Sequence, residues 1–191
     1  TTQSRNKRAN RKSEFLLHDA EFLAAWASVL VPGYRYPAET FNRAWRLICL
    51  NQFHDILPGS SIGPVYEESQ RQYAEVARLA AEARHAALTA IAAQTGGDLL
   101  LINPTGFARR DLAWLPAALP AGVKPVRADG QAVEVQPAVG GAWLAAGELP
   151  PYSVTAVRIG PGSGAAGTPV EREAALRAPQ APVVATPTLL E

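Results

Sequence analysis

Thr95-Gly96-Gly97-Asp98-Leu99-Leu100-Leu101-Ile102-Asn103-Pro104 divides the chain into two kinds of pattern. Before Gly96, apolar residues recur every three or four positions, the repeat of helices that each bury one stripe. After Gly97, short apolar runs alternate with Gly and Pro turns, the pattern of short strands. Leu99–Ile102 reads as a buried strand, and Asn103-Pro104-Thr105-Gly106 as the turn that ends it. The expected fold class is α+β. A three-helix up-down-up bundle spans about 5–95, and an incomplete antiparallel β domain spans about 98–160.

Upstream of the divide, Leu16, Ala20, Leu23, Ala27 and Leu30 predict a first helix over about Asn6–Leu30, stopped by Pro32-Gly33. A second helix is expected over Ala38–Ile56, with Phe41, Trp45, Ile48 and Phe53 as its large apolar residues. It stops at Pro58-Gly59. Pro64 suits the first turn of a third helix that runs to about Gln94, roughly 45 Å at 1.5 Å per residue. The aromatic residues Trp26, Trp45, Tyr34 and Tyr36 are assigned to packing. Cys49, in mid-helix, reads as a small buried hydrophobe.

Downstream, Val123–Val126 and Ala132–Val135 flank Asp129-Gly130, a hairpin signal. Trp143-Leu144 and Ser153–Ile159 give two more strands, for about five in all. Residues 161–187, rich in Gly, Ala and Pro, read as a linker. A short helix around Val170–Leu176 is weighed within it. Thr188–Glu191 look like the start of a next strand.

Composition narrows the function classes. Eighteen Lys and Arg balance seventeen Asp and Glu, giving a net charge of +1. A dedicated nucleic-acid binder usually shows a basic excess, so none is expected despite the basic run Arg5, Lys7, Arg8, Arg11 and Lys12. No apolar run reaches the roughly 18 residues of a membrane span. The single cysteine excludes an intramolecular disulfide and a cysteine-only metal cluster, and leans the reading toward the cytoplasm. The chain has no methionine, even at position 1. It is expected to be an internal piece of a longer protein.

The stretch that carries chemistry is Asn51-Gln52-Phe53-His54-Asp55-Ile56-Leu57-Pro58-Gly59-Ser60-Ser61-Ile62. On a helix, Asn51, His54 and Asp55 lie three and four apart and share one side. Imidazole is a common metal ligand, carboxylate can ligate or orient, and the negative end of a helix dipole faces a cation favourably. The alternative reading of the same spacing is a helix cap or a surface ion pair.

That stretch, followed by Val65-Tyr66-Glu67, resembles the signature of glycoside hydrolase family 38, the α-mannosidases, in its bacterial and cytosolic-type form. Thr1-Thr2-Gln3 with Lys7, Asn10-Arg11 and Ser13-Glu14 resembles the passage from that family's catalytic barrel into its helical middle domain. Residues 1–12 then read as a basic junction. Leu100-Leu101-Ile102-Asn103-Pro104 resembles the first strand after the bundle. The resemblance implies a zinc-dependent, retaining α-mannosidase acting on terminal α-mannosides. It makes His54 a metal ligand and Asp55 a sugar-binding residue, with Asn51 in support. It implies an N-terminal barrel and a further C-terminal β region as partners in the parent chain. The barrel would carry a His-x-Asp pair and the catalytic carboxylates, none of which is present here. The chain is therefore expected to hold no catalytic residue, to complete no zinc site, and to be inactive alone.

Two other classes compete. Metal phosphohydrolases of the HD type would need His18, His54-Asp55 and Asp98 in one site. A non-catalytic helical interaction module would leave Asn51, His54 and Asp55 with stability roles only.

Overall fold

The computed structural model describes residues 2–117, 119, 122–161 and 183–187. They divide into a helical unit, Thr1–Ile91, and a β unit, Ala92–Glu191.

The helical unit holds α1 (Ser4–Leu30), α2 (Ala38–Asn51) and all but the last four residues of α3 (Gly63–Thr95). Cross-contacts give their directions. Glu21 meets Trp45 and Glu14 meets Gln52, so α1 and α2 run oppositely. Asn6 meets Ser69 and Asn10 meets Tyr73, so α1 and α3 run the same way. This is the expected up-down-up order. Leu17, Ala20, Leu23, Ala24 and Ala27 of α1 are buried with Phe41 and Ile48 of α2 and Val76, Ala80 and Ala87 of α3. Alanines on α1 and α3 leave room for close helix approach.

The α1 stripe does not begin with apolar residues. Asn6, Asn10 and Ser13 continue the spacing of Leu17 and Ala20, and all three are buried. Leu16, expected in the stripe, is only partly buried. One end of the bundle is thus filled with polar side chains that bond one another.

α2 is shorter than expected. It ends at Asn51, and residues 52–59 form successive turns. The amide of Gln52 is shared between the carbonyls of Ile48 and Cys49, a tightening typical of a helix end. Cys49 is exposed rather than buried, because it lies on the outer side of α2 between Ile48 and Leu50.

The β unit has β1 (Leu99–Asn103), β2 (Arg109–Leu115), β3 (Val123–Arg127), β4 (Glu134–Ala138), β5 (Gly141–Leu149), β6 (Ser153–Pro161) and β7 (Val183–Pro187). Their order is β3-β6-β1-β7-β2-β5-β4. Two antiparallel three-stranded ladders, β3-β6-β1 and β2-β5-β4, flank β7. β7 is parallel to β1 and antiparallel to β2. Leu99, Leu101 and Val157 from one ladder pack with Ala113, Leu115, Leu144 and Leu149 from the other in a single aliphatic core. The inner faces of the ladders therefore supply each other's cover.

Three strand expectations change. The Asp129-Gly130 turn forms, with Gly130 N bonded to Arg127 O and Arg127 N to Gln131 O, but β3 and β4 do not make a hairpin. Only the bridge Val126–Ala132 joins those segments, and β4 departs to pair with β5. β2 opens with Arg109-Arg110-Asp111, charges that hide its apolar half. Val183–Pro187, expected in the linker, are a strand held by long-range pairing. Val170–Leu176 and Thr188–Glu191 lie outside the described residues. No described helix is long and apolar enough to cross a membrane.

Candidate functional site

The 51–62 stretch begins at the last residue of α2 and ends just before α3. Its residues have different environments. Asn51 is 1% exposed, and its amide donates to Leu47 O at 2.8 Å and Gln72 Oε1 at 2.7 Å. The expected grouping of Asn51 with His54 and Asp55 on one helix side is thereby corrected. α2 has already ended when the chain reaches His54, so helical spacing no longer relates them.

His54 and Asp55 do lie together. His54 Nε2 is 3.3 Å from Asp55 Oδ2, and their side chains are 76% and 56% exposed. The Phe53 ring tilts against the imidazole with centroids 4.1 Å apart. A pair so exposed can present both an imidazole nitrogen and a carboxylate oxygen to an external group.

Burial does not hold this pair, but bonds to the surrounding backbone do. The Tyr66 hydroxyl accepts from Ser61 N at 2.9 Å and donates to Asp55 O at 3.4 Å. Lys7 Nζ donates to Pro58 O at 3.0 Å and to Thr2 O at 2.7 Å. Gln52 Nε2 donates to Glu14 Oε1 at 2.8 Å and to Asn10 Oδ1 at 3.2 Å. Gly59 turns the chain with φ +102°, and a Cβ there would meet Thr2 at 3.0 Å.

Behind the turn lies the polar end of the bundle. Ser69 Oγ donates to Asn6 Oδ1 at 2.5 Å, and Tyr73 Oη to Asn10 Oδ1 at 3.2 Å. Asn10 Nδ2 donates to Glu14 Oε1 at 2.8 Å. Burial, with the nearby Glu14 charge, pushes the Tyr73 phenol up to about 12. Its hydroxyl thus stays a donor across the neutral range.

The chemistry of the donor set fits a zinc ion in part. One imidazole and one carboxylate suit it, but a closed site needs about four ligands. Among the described residues no three His, Cys, Asp or Glu side chains gather to hold a metal.

The residues needed by the phosphohydrolase alternative are engaged separately. His18 pairs with Asp19 at 3.2 Å on the exposed side of α1. Burial pushes the Asp19 carboxyl up from its usual value against the opposing pull of His18 and Arg84. Asp98 accepts a bond from Ile159 N at 2.7 Å within the β unit. The basic run is also partly committed. Lys7 caps Pro58, while Arg11 bonds Glu14 and lies over the Phe15 ring at 4.2 Å. Tyr36 and Trp45 both donate to Glu21, and the Tyr36 ring lies 5.1 Å from that of Phe41, but Tyr36 and Trp26, both expected to pack, are each 38% exposed.

Sequence reasoning missed Lys7, Gln52 and Tyr66 as supports of the turn. Tyr66 lies within the quoted signature, and Asn6, Asn10 and Ser13 lie at the spacing of the α1 stripe. Those two signals together would have found them.

Residues 1–91 match the model of the α-mannosidase middle domain. Alpha-mannosidase 2C1 of Mus musculus is 34% identical over 142 residues, covering 73% of this chain and 13% of its own length. An alpha-mannosidase of Saccharomyces cerevisiae is 48% identical over 68 residues, covering 35% of this chain and 6% of its own. A crystal structure of an alpha-mannosidase from Enterococcus faecalis shares the fold with TM-score 0.63 at 19% identity, over 88% of this chain and 25% of that one. A glycosyl hydrolase family 38 protein from the same organism gives 0.60 at 18% identity, over 88% of this chain and 26% of that one. The chain belongs to glycoside hydrolase family 38, the α-mannosidases, with residues 1–91 as their middle domain. It spans about an eighth or less of the length of the curated relatives it matches.

Proposed function

We propose that this chain forms one wall of the active site of a zinc-dependent, retaining α-mannosidase that hydrolyses terminal α-mannosides. The observation that carries this reading is the exposed His54–Asp55 pair on a turn held by buried polar groups. An exposed ion pair contributes little to stability. A network that fixes the turn beneath it therefore supports a role outside the bundle.

In this reading His54 supplies one zinc ligand and Asp55 contacts the sugar. Zinc, when bound, holds sugar hydroxyls in place and helps distort the ring. The other ligands, the nucleophilic carboxylate and the acid/base carboxyl come from a barrel elsewhere in a longer protein. Retaining glycosidases place those two carboxyl groups about 5–5.5 Å apart. This chain's contribution is binding and orientation.

Two measurements test the reading. His54→Ala in a full-length enzyme containing these residues should abolish mannoside hydrolysis while the helical content is kept. The 191-residue chain alone should show no mannosidase activity. It should bind zinc more weakly than ~1 μM, well short of the roughly 10–16 kcal/mol of complete structural sites. Zinc-dependent hydrolysis by the chain alone, or an active His54→Ala enzyme, would sink the proposal.

A further inference from the structure

We infer that Tyr66 and Lys7 are positioning residues, which grip the 53–61 turn from outside and set the direction in which His54 and Asp55 leave the bundle. This rests on the reading of His54 as a metal ligand and Asp55 as a sugar contact.

The turn has few bonds of its own. Between Phe53 and Gly59 they are Phe53 N to Leu50 O, Ile56 N and Leu57 N to Phe53 O, and Gly59 N to Ile56 O. None of these carbonyls or amides belongs to His54 or Asp55. What their exposed side chains touch, the Phe53 ring for His54 and Ser60 Oγ at 3.5 Å for Asp55, belongs to the same turn and does not anchor it to the bundle. The bond that reaches the pair's backbone comes from Tyr66. Its hydroxyl has one proton, which goes to Asp55 O, and a lone pair, which takes Ser61 N. The same atom therefore ties the two ends of the 55–61 loop together. Tyr66 is 8% exposed, so its ring is held by the bundle.

Lys7 grips the loop between those two points. Its ammonium bonds Pro58 O, and a second bond to Thr2 O ties the loop to the start of α1. A cation among carbonyls at a chain reversal makes a charge-assisted bond, stronger than a neutral one. The grip thus has one point at Asp55, one at Pro58 and one at Ser61, all supplied by residues distant in sequence or on another helix. Placement matters because a shift of about 1 Å at a reacting group can cost ~100-fold in rate.

The test uses the 191-residue chain and a full-length enzyme containing it. In the chain, Tyr66→Phe keeps the ring and removes both hydroxyl bonds. Amide exchange at Ser61 should quicken by at least about tenfold, the equivalent of one ordinary hydrogen bond. The cross-relaxation between the Phe53 and His54 rings should weaken. Exchange at Val76 and Ile91, in the body of α3, should stay as it was. Lys7→Met should weaken the same ring signal, and Lys7→Arg should restore it. Unchanged exchange at Ser61, or a uniform rise along α3, would refute the positioning role.

In the full-length enzyme, Tyr66→Phe should lower kcat by about tenfold or more at unchanged zinc content. If His54→Ala is inactive but Tyr66→Phe keeps wild-type kcat, only the positioning inference falls. If His54→Ala is fully active, the reading of the site falls, and the role of both residues in it falls too.

Discussion

In the β unit, the buried polar side chains bond to main-chain carbonyls; in the helical unit, they bond mainly to one another. Asn103, 0% exposed, donates to the carbonyls of Phe107, Leu149 and Pro150 and accepts from Thr105. Arg127 donates to the carbonyls of Ala146 and Glu148. Each closes a gap left by the backbone, at a strand end or beside the bulge where Gly147 has φ +73°. At the polar end of the bundle, Asn6 takes Ser69, Asn10 takes Tyr73 and Gln52, and Asn51 takes Gln72. Helix backbones satisfy themselves, so these side chains are not needed to complete secondary structure. Their joint effect is to fix α1, α2 and α3 against the turn that displays His54 and Asp55.

The largest break in this comparison should come from Asn103→Ala. It takes the amide donor from Leu149 O and the acceptor from Thr105 N, while Phe107 O keeps Thr105 Oγ1 and Pro150 O keeps Ser153 Oγ. The expected loss is about 3 kcal/mol or more, since each buried group left unpaired costs roughly 1–3. Chemical denaturation of the β unit, followed by tryptophan emission from Trp114 and Trp143, would measure it. A loss under about 1 kcal/mol would mean that water replaces the amide.

Asn51→Ala should cost less, about 1–2 kcal/mol, because Gln72 is only partly buried and its freed Oε1 can turn to water. The sharper readout is local. If the polar end serves the turn, exchange of the Phe53 and Ile56 amides should rise before that of the α3 core. An equal rise everywhere would make Asn51 an ordinary core residue. Gly59→Ala should follow at about 1 kcal/mol, from a positive φ that alanine adopts with strain and from the contact with Thr2. A thermal melt of this variant unchanged from wild type would show that Thr2 moves aside and that the turn tolerates a new backbone angle.

The same contrast explains what the sequence made legible. α1 and α3 were readable to within two residues because long stripes at helical period are hard to mimic. The end of α2 was not, since Phe53 and Ile56 prolong the apolar pattern into turns whose geometry depends on Lys7, Gln52 and Tyr66. β1 and β6 were readable as apolar runs between turns. β2 was masked by Arg109-Arg110-Asp111, and β7 by alanine and proline, because its identity as a strand comes from pairing with β1 and β2 far away in sequence. The Asp129-Gly130 signal specified its turn but not the partner of β4. For the site, local motif residues were legible, whereas the supports were not, because side-chain bonds between separate helices leave no spacing in one dimension.

The smallest expected effect is alkaline. Burial, together with Glu14, pushes the Tyr73 phenol up to about 12. Burial and the neighbouring Glu21 carboxylate push Tyr36 to about 12 as well. Both shifts favour the proton-bound form in the folded state. In the unfolded chain a tyrosine ionises near pH 10. Below that value both states hold the proton and these groups give no pH dependence. Above it the unfolded state loses its protons first, so stability should fall as pH rises from about 10 to about 12. Tyr73→Phe should remove the Tyr73 share of that slope while lowering stability at neutral pH, because the bond to Asn10 is lost. Denaturation midpoints at pH 9, 10 and 11 for the two proteins would measure the share. Parallel curves would show that Tyr73 is not held neutral in the folded chain, and the polar end of the bundle would then be open to water rather than sealed behind the turn.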